Sequence, residues 1–157
     1  MKILAIDPGT SCGFALLDGT TIASGVWDIS IKRDESRGMR LIRLRNKLNE
    51  VGKVDLLAFE VSKNHMSSLA AEVSGEIRGL LTTWCHDNAV EYIGVHYSLI
   101  KKFASGKGNA NKEQMMKIAE EKFNKKIEFS DEADALLLLA YMRENYGKFT
   151  PMATKSV

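Results

Sequence analysis

Four carboxylates stand where apolar runs begin or end. Asp7 closes the run Ile3-Leu4-Ala5-Ile6 and opens the turn Asp7-Pro8-Gly9-Thr10. Glu60 closes the run Leu56-Leu57-Ala58-Phe59, and Asp131 and Asp134 open the run Ala135-Leu136-Leu137-Leu138-Leu139-Ala140. Acids at the open ends of buried elements can converge on one spot. Hard oxygen ligands gathered in that way suit Mg²⁺ or Mn²⁺, and pairs of such ions drive in-line hydrolysis of phosphodiesters. Each acid taken alone has a structural explanation. Asp before Pro-Gly is ordinary turn chemistry, and Asp131 and Asp134, three apart at a helix start, complement the helix dipole. The set of four, delivered by three separate segments, is what points to chemistry.

A second constellation is basic. Residues 97–126 carry Lys101, Lys102, Lys107, Lys112, Lys117, Lys122, Lys125 and Lys126 against only Glu113, Glu120 and Glu121. Lys112 starts a helix directly after the loop Ser105-Gly106-Lys107-Gly108-Asn109, so loop amides and a lysine could hold a phosphate. The alternative is a solvated basic helix.

The elements that must position these groups follow from periodicity. Strands are expected at 2–6, 13–18, 21–28, 54–60 and 90–95, the second and third joined by a tight turn at Asp18-Gly19-Thr20. Helices are expected at 36–51, 67–86, 98–104, 111–123 and 131–146, the last with Ser130 as its N-cap. In the first, Leu41, Leu44, Leu48 and Val51 share one face, and Arg37, Arg40, Arg43 and Lys47 lie elsewhere on a basic face that is either solvated or in contact with DNA. The second carries two stripes. Leu69, Val73, Ile77, Leu80 and Trp84 form a core face; Ala71, Gly75 and Gly79 are small residues that let another backbone come close, within the monomer or across an interface. Met115, Ala119 and Phe123 should face inward in the fourth. The last is apolar all round and should lie buried between layers.

The chain has 157 residues, 45% of them hydrophobic and 27% charged, with a net charge of +2. This suits one globular domain, placed at 1–146, with a polar, mobile tail at 147–157. Cys12 and Cys85 form no Cys-x-x-Cys pair and read as small buried thiols. His65, His86 and His96 lack zinc-ligand spacing. The N-terminal apolar run is short for a signal peptide and no stretch is long enough to span a membrane, which points to the cytoplasm.

Taken in order, these segments resemble the RuvC-type Holliday junction resolvases of the ribonuclease-H-like superfamily, and the short chain is similar to phage-encoded members. Ile6-Asp7-Pro8-Gly9-Thr10 followed by Gly13 matches the family's first motif, and Phe59-Glu60 its second acid. Gly106-Lys107-Gly108-Asn109-Ala110-Asn111-Lys112-Glu113-Gln114 is similar to its Gly-x-Gly-x-Ala-x-Lys-x-Gln segment, and Asp131-Glu132-Ala133-Asp134-Ala135 to its closing pattern. The resemblance implies an α/β fold, a ribonuclease-H-like mixed five-stranded sheet flanked by helices, working as a homodimer. It implies Asp7, Glu60, Asp131 and Asp134 as ligands of divalent metal, two ions per site, Mg²⁺ or Mn²⁺. Lys112 matches a lysine near the scissile phosphate, and Lys101 another basic position, with Lys102 and Lys107 as further contacts to DNA. Lys63 stands where well-known members carry an aromatic residue that helps open the junction centre, and is counted as a contact to DNA. The implied activity is metal-dependent hydrolysis of branched DNA, above all four-way junctions. Three other readings are kept beside it: a broader branched-DNA or RNA nuclease of the same fold, a non-catalytic junction-binding protein, and a phosphate clamp of the actin-like ATPase kind. The last needs two such domains, and this chain has room for one.

Overall fold

The computed structural model describes residues 1–61 and 67–146. Lys63 and the tail expected over 147–157 lie outside the described residues. Five strands, β1 (Lys2–Asp7), β2 (Ser11–Asp18), β3 (Thr21–Asp28), β4 (Leu56–Val61) and β5 (Glu91–His96), form one sheet in the order β3-β2-β1-β4-β5. β1, β2 and β3 pair antiparallel as a meander. β4 and β5 add to β1 in parallel. This is the mixed five-stranded α/β sheet expected.

Alternation along β1 and β4 divides the core into two layers. Ile3, Ala5, Leu56 and Ala58 point to one face; Leu4, Ile6, Leu57 and Phe59 point to the other. The first face is covered by α5 (Ser130–Asn145), which crosses β2, β1 and β4, with α4 (Lys112–Phe123) and α3 (Tyr97–Ser105) packed outside it. Because α5 has sheet on one side and helices on the other, Ala133 and the whole run Ala135–Ala140 are buried. The second face is covered by α1 (Gly38–Val51) and α2 (Ser68–Asp87).

Several local expectations need correction. The N-cap of α5 is Phe129, without a side-chain cap, and Ser130 is already helical. The core stripe of α2 runs Val73, Ile77, Leu81, Trp84, Cys85, while Leu69 is 64% exposed. Helix α1 starts at Gly38 rather than 36, and Arg40 is only 7% exposed, so it leaves the solvated basic face. Met115 and Ala119 are buried and Phe123 packs against the same core, as expected. Cys12 and Cys85 are free, buried thiols.

Two exposed lysines of the basic segment pair with carboxylates of α5. Lys125 donates to the buried carboxylate of Glu132 at 2.5 Å, which also accepts from Ser24 Oγ at 2.7 Å. This clamp fastens the first turn of α5 to β3. Lys122 pairs with Glu144 on α5 at 3.3 Å.

Candidate active site

The parallel pairing of β1 with β4 sets Ile6 beside Phe59, so one step further Asp7 and Glu60 lie on adjacent strands in register. Residues in register share a face. Ile6 and Phe59 point to the α1/α2 side, and the two acids therefore point to the α5 side, at the carboxyl ends of their strands. In an open α/β sheet, that end is where ligands collect.

The start of α5 meets them there. Gly13, the β2 partner of Asp7, has no Cβ, and one placed on it would overlap the backbone carbonyl of Asp131. The missing side chain lets the first turn of α5 lie directly on the strand that pairs with Asp7. Asp131 and Asp134, three apart, then present one side of that turn.

Electrostatics report the convergence. Asp7 is held well above the usual carboxylate range, first by burial, then by the charges of Glu60, Asp134 and Asp131, and by a hydrogen bond shared with the Asp131 carboxyl. Asp134 is pushed up to about 6 by burial and by Asp131, while Lys112 and Lys101 act in the opposite direction. Cys12, beside Asp7, is pushed up to about 12, mainly by burial and then by Asp7, so its thiol is a packing group and no nucleophile.

The two lysines come from elements that start at the same edge. β5 runs straight into α3, whose N-cap His96 accepts from the Ser98 amide. Lys101 lies one turn along, its ammonium 5.1 Å from the centre of the Tyr97 ring. Lys112 is the first residue of α4, behind a capping box in which Asn111 and Gln114 satisfy each other's amides. Glu60, Tyr97, Lys101, Lys112, Met115 and Asp134 line a cleft of about 160 Å³. Of the expected site residues, Asp7, Glu60, Asp131, Asp134, Lys101 and Lys112 are thus brought together. Lys107 is not; it lines a separate groove of about 710 Å³ with Asn109, Gln114 and Lys117. Lys102 is exposed and outside the cleft. Tyr97 escaped the sequence reading. Its only signal is its position, one residue past β5 and four before a lysine on the same helix face.

The donor set fits a hard divalent cation: four carboxylates, no sulfur or imidazole, and acids that raise one another's affinity for protons for want of positive charge. Among the described residues, no three Asp, Glu, His or Cys side chains stand close enough together to hold a metal ion as they are. The acids form an open, repelling cluster rather than a finished cage.

No family model matches the chain. Two curated relatives do. One is the crossover junction endodeoxyribonuclease RuvC of Brachyspira hyodysenteriae, 28% identical, with 92% of this chain and 96% of that protein aligned. The other is RuvC of an Anaeromyxobacter species, 29% identical over all of this chain and 80% of that protein. Among solved structures, Thermus thermophilus RuvC superposes with a TM-score of 0.77 at 19% identity, over 97% of this chain and all of that one. The same protein in complex with a Holliday junction substrate gives 0.79 at 20% identity, over 97% and 99%. The sheet order and helix placement are therefore those of the RuvC-type, ribonuclease-H-like fold. Among the described residues, no helix is long and apolar enough to cross a membrane.

Proposed function

We propose that this chain is a metal-dependent endonuclease that resolves four-way DNA junctions by hydrolysing phosphodiesters in the cytoplasm, its nuclease unit spanning residues 1–146. The observation that carries the reading is the meeting of Asp7, Glu60, Asp131 and Asp134 at one strand edge, faced by Lys101 and Lys112, in a chain similar along nearly all its length to crossover junction endodeoxyribonucleases. The four acids would hold Mg²⁺ or Mn²⁺, two ions per site. Divalent metal bound there supplies Lewis acidity toward the phosphoryl oxygens and lowers the pKa of a coordinated water.

The chain's own residues do the positioning. The register of β1 with β4 and the seat of α5 on Gly13 hold the acids toward one point against their mutual repulsion. Lys112, at the mouth, offsets charge that grows on the phosphoryl oxygens as the bond breaks. Lys101, braced against Tyr97, draws the backbone into the cleft. Backbone contacts carry no sequence information, so selectivity for a junction would come from shape. Cleavage of a labelled immobile four-way junction with Mg²⁺, and its arrest by EDTA, tests the reading. Binding without cleavage would leave a junction-binding protein, and equal rates on flaps or RNA–DNA hybrids would leave the broader nuclease.

Lys112→Ala separates chemistry from binding. Lys112 is exposed and carries no core contact, so folding should be unaffected. An interaction that strengthens in the transition state shows in the chemical step. The single-turnover rate is expected to fall on the order of 100-fold, with junction affinity nearly unchanged. Lost affinity at an unchanged rate would make Lys112 a plain backbone anchor.

Paired cuts across a symmetric junction call for a two-fold assembly, and the Ala71-Gly75-Gly79 stripe of α2 is the face we assign to it. Its residues are exposed, and a Cβ placed on Gly75 or Gly79 meets no heavy atom within 4 Å, so the stripe does not serve packing within the monomer. Gly75→Leu is expected to sediment as a folded monomer that nicks without coordination. A wild type that is monomeric at micromolar concentration removes the preformed dimer.

A further inference from the structure

On the far side of the Asp7–Thr10 turn from the lysine cleft lies a second cavity, of about 490 Å³, between α1, α2 and the turn itself. Pro8 and Thr10 form one wall and Leu69 and Val73 another, so the lining is mainly apolar; Arg37 and Arg40 are its charged members. Arg40 is an unusual residue to find there. It heads the buried stripe Arg40, Leu44, Leu48 of α1. It is 7% exposed, its Nε is fully buried with no hydrogen-bond partner, and no carboxylate among the described residues pairs with it. Its neighbour Arg37 is different: both Glu72 and Glu76 bind it, at 3.1 and 2.8 Å. The buried Oε2 of Glu76 also lacks a partner, although the other oxygen of that carboxylate accepts from Arg37, which Glu72 shares. A buried guanidinium with no counter-charge is costly unless something anionic arrives to meet it.

We propose that this cavity is a phosphate subsite, in which Arg40 grips a backbone phosphodiester of the nucleic acid on the side of Asp7 opposite Lys101 and Lys112. This rests on the nuclease reading above and deepens it. The planar guanidinium fork matches a phosphodiester and can bind two of its oxygens at once. The cavity begins at Pro8, one residue from Asp7, so a strand lying across the acids has only the Asp7–Thr10 turn to pass to enter it. That strand then meets cations from both faces of the sheet: Lys101 and Lys112 from the α3/α4 side, Arg40 from the α1 side. Two-sided anchoring would fix the position of the scissile bond over the acids along the strand.

The test compares full-length wild type, Arg40→Met and Arg40→Lys for junction binding in EDTA across a salt series, with thermal unfolding of each. Arg40→Met should fold and melt no lower than wild type, since it removes an unpaired buried charge while keeping length and apolar bulk. Its junction affinity should fall, and the slope of log K against log salt should become shallower by about 0.9, the signature of one lost phosphate contact. Arg40→Lys should recover most of the affinity. Junctions carrying single neutral methylphosphonates near the cut should contain one position that weakens wild type but leaves Arg40→Met unchanged. A marked drop in melting temperature, or failure to fold, in both variants would make Arg40 a structural residue and overturn the proposal. So would unchanged affinity and slope, or a methylphosphonate scan with no position specific to Arg40. If inorganic phosphate raises the melting temperature of wild type but not of Arg40→Met while DNA binding is the same in both, the cavity takes a free anion and the substrate assignment fails. Wild type that binds no DNA defeats the nuclease reading itself, a result distinct from all of these.

Discussion

Asp7→Asn is expected to reduce cleavage by on the order of 10³-fold or more, the size of several kcal/mol of lost transition-state stabilisation, while junction binding in EDTA stays close to wild type. Affinity should persist because phosphate contacts from basic groups supply most of it, and Asp7 is an acid that opposes the backbone. The same substitution should make the metal-free protein more stable. Asp7 is held well above its ordinary value, by burial and by Glu60, Asp134 and Asp131, so ionising it in the folded chain costs more than in the unfolded chain. The sign follows from linkage: between the unfolded and folded values the native state binds more protons, and stability falls as pH rises. For Asp134 that window runs from 3.8 to about 6, and Asp7 extends the loss in the same direction. Glu35, held down to about 2 chiefly by its hydrogen bond from Arg43, loses its contribution only in acid, below 4.5. Metal-free wild type should therefore melt at a lower temperature at pH 8 than at pH 5. Mg²⁺ should recover the difference, and Asp7→Asn should show a smaller one. Cleavage at wild-type rate would remove Asp7 from the site. A melting temperature of the variant in EDTA at pH 8 below that of wild type would show that the carboxylate stabilises the fold, contrary to the clustering argued above.

Why the acids were legible in the sequence, and the burial of Arg40 was not, has a physical reason. Asp7 and Glu60 each end a short apolar strand, and parallel pairing in register is the one long-range fact needed to set them side by side. Asp131 and Asp134 open a helix whose Leu run demands burial, so its start had to reach the sheet edge. Strand and helix order followed the same periodicities, with ends displaced by one or two residues where caps and turns decide. Arg40 defeats this kind of reading because charge normally marks the solvated face of a helix. Here it occupies the position one turn before Leu44 on the core stripe. The basic segment was legible only as a count of charges. Lys122 and Lys125 are held by Glu144 and Glu132, which lie 22 and 7 residues away and are brought in by the packing of α5. Only Lys101 and Lys112, which begin near the ends of β5 and the glycine loop, reach the acids. The resemblance of the motifs supplied what periodicity alone could not: that the three segments carrying acids belong to one site.

Gly13→Ala is expected to cost both stability and activity, although it adds a single methyl group. A Cβ at this position would meet the carbonyl carbon and oxygen of Asp131 and approach the amide of Glu132. These are backbone atoms that cannot rotate away. Relief requires the first turn of α5 to lift from β2, and that turn is held down nearby by the Glu132 clamp to Ser24 and Lys125. Forced overpacking of this kind costs ~1–3 kcal/mol, so the urea midpoint should fall without a change in slope. The functional loss should be larger than the stability loss suggests. Lifting the turn moves Asp131 and Asp134 away from Asp7 and Glu60, and a displacement of about 1 Å in a positioned group is worth on the order of 100-fold in rate. The midpoint for Mg²⁺ activation should rise along with it, which general destabilisation well below the unfolding transition would not produce. Gly38→Ala provides the contrast. There an added Cβ has only Ser36 Oγ, at 3.7 Å, within reach. Gly38 opens α1, so alanine should be neutral or stabilising by up to ~1 kcal/mol, with cleavage unchanged. Wild-type cleavage and Mg²⁺ dependence in Gly13→Ala would mean that α5 can yield without disturbing the acids, and that the close approach at Gly13 serves packing alone.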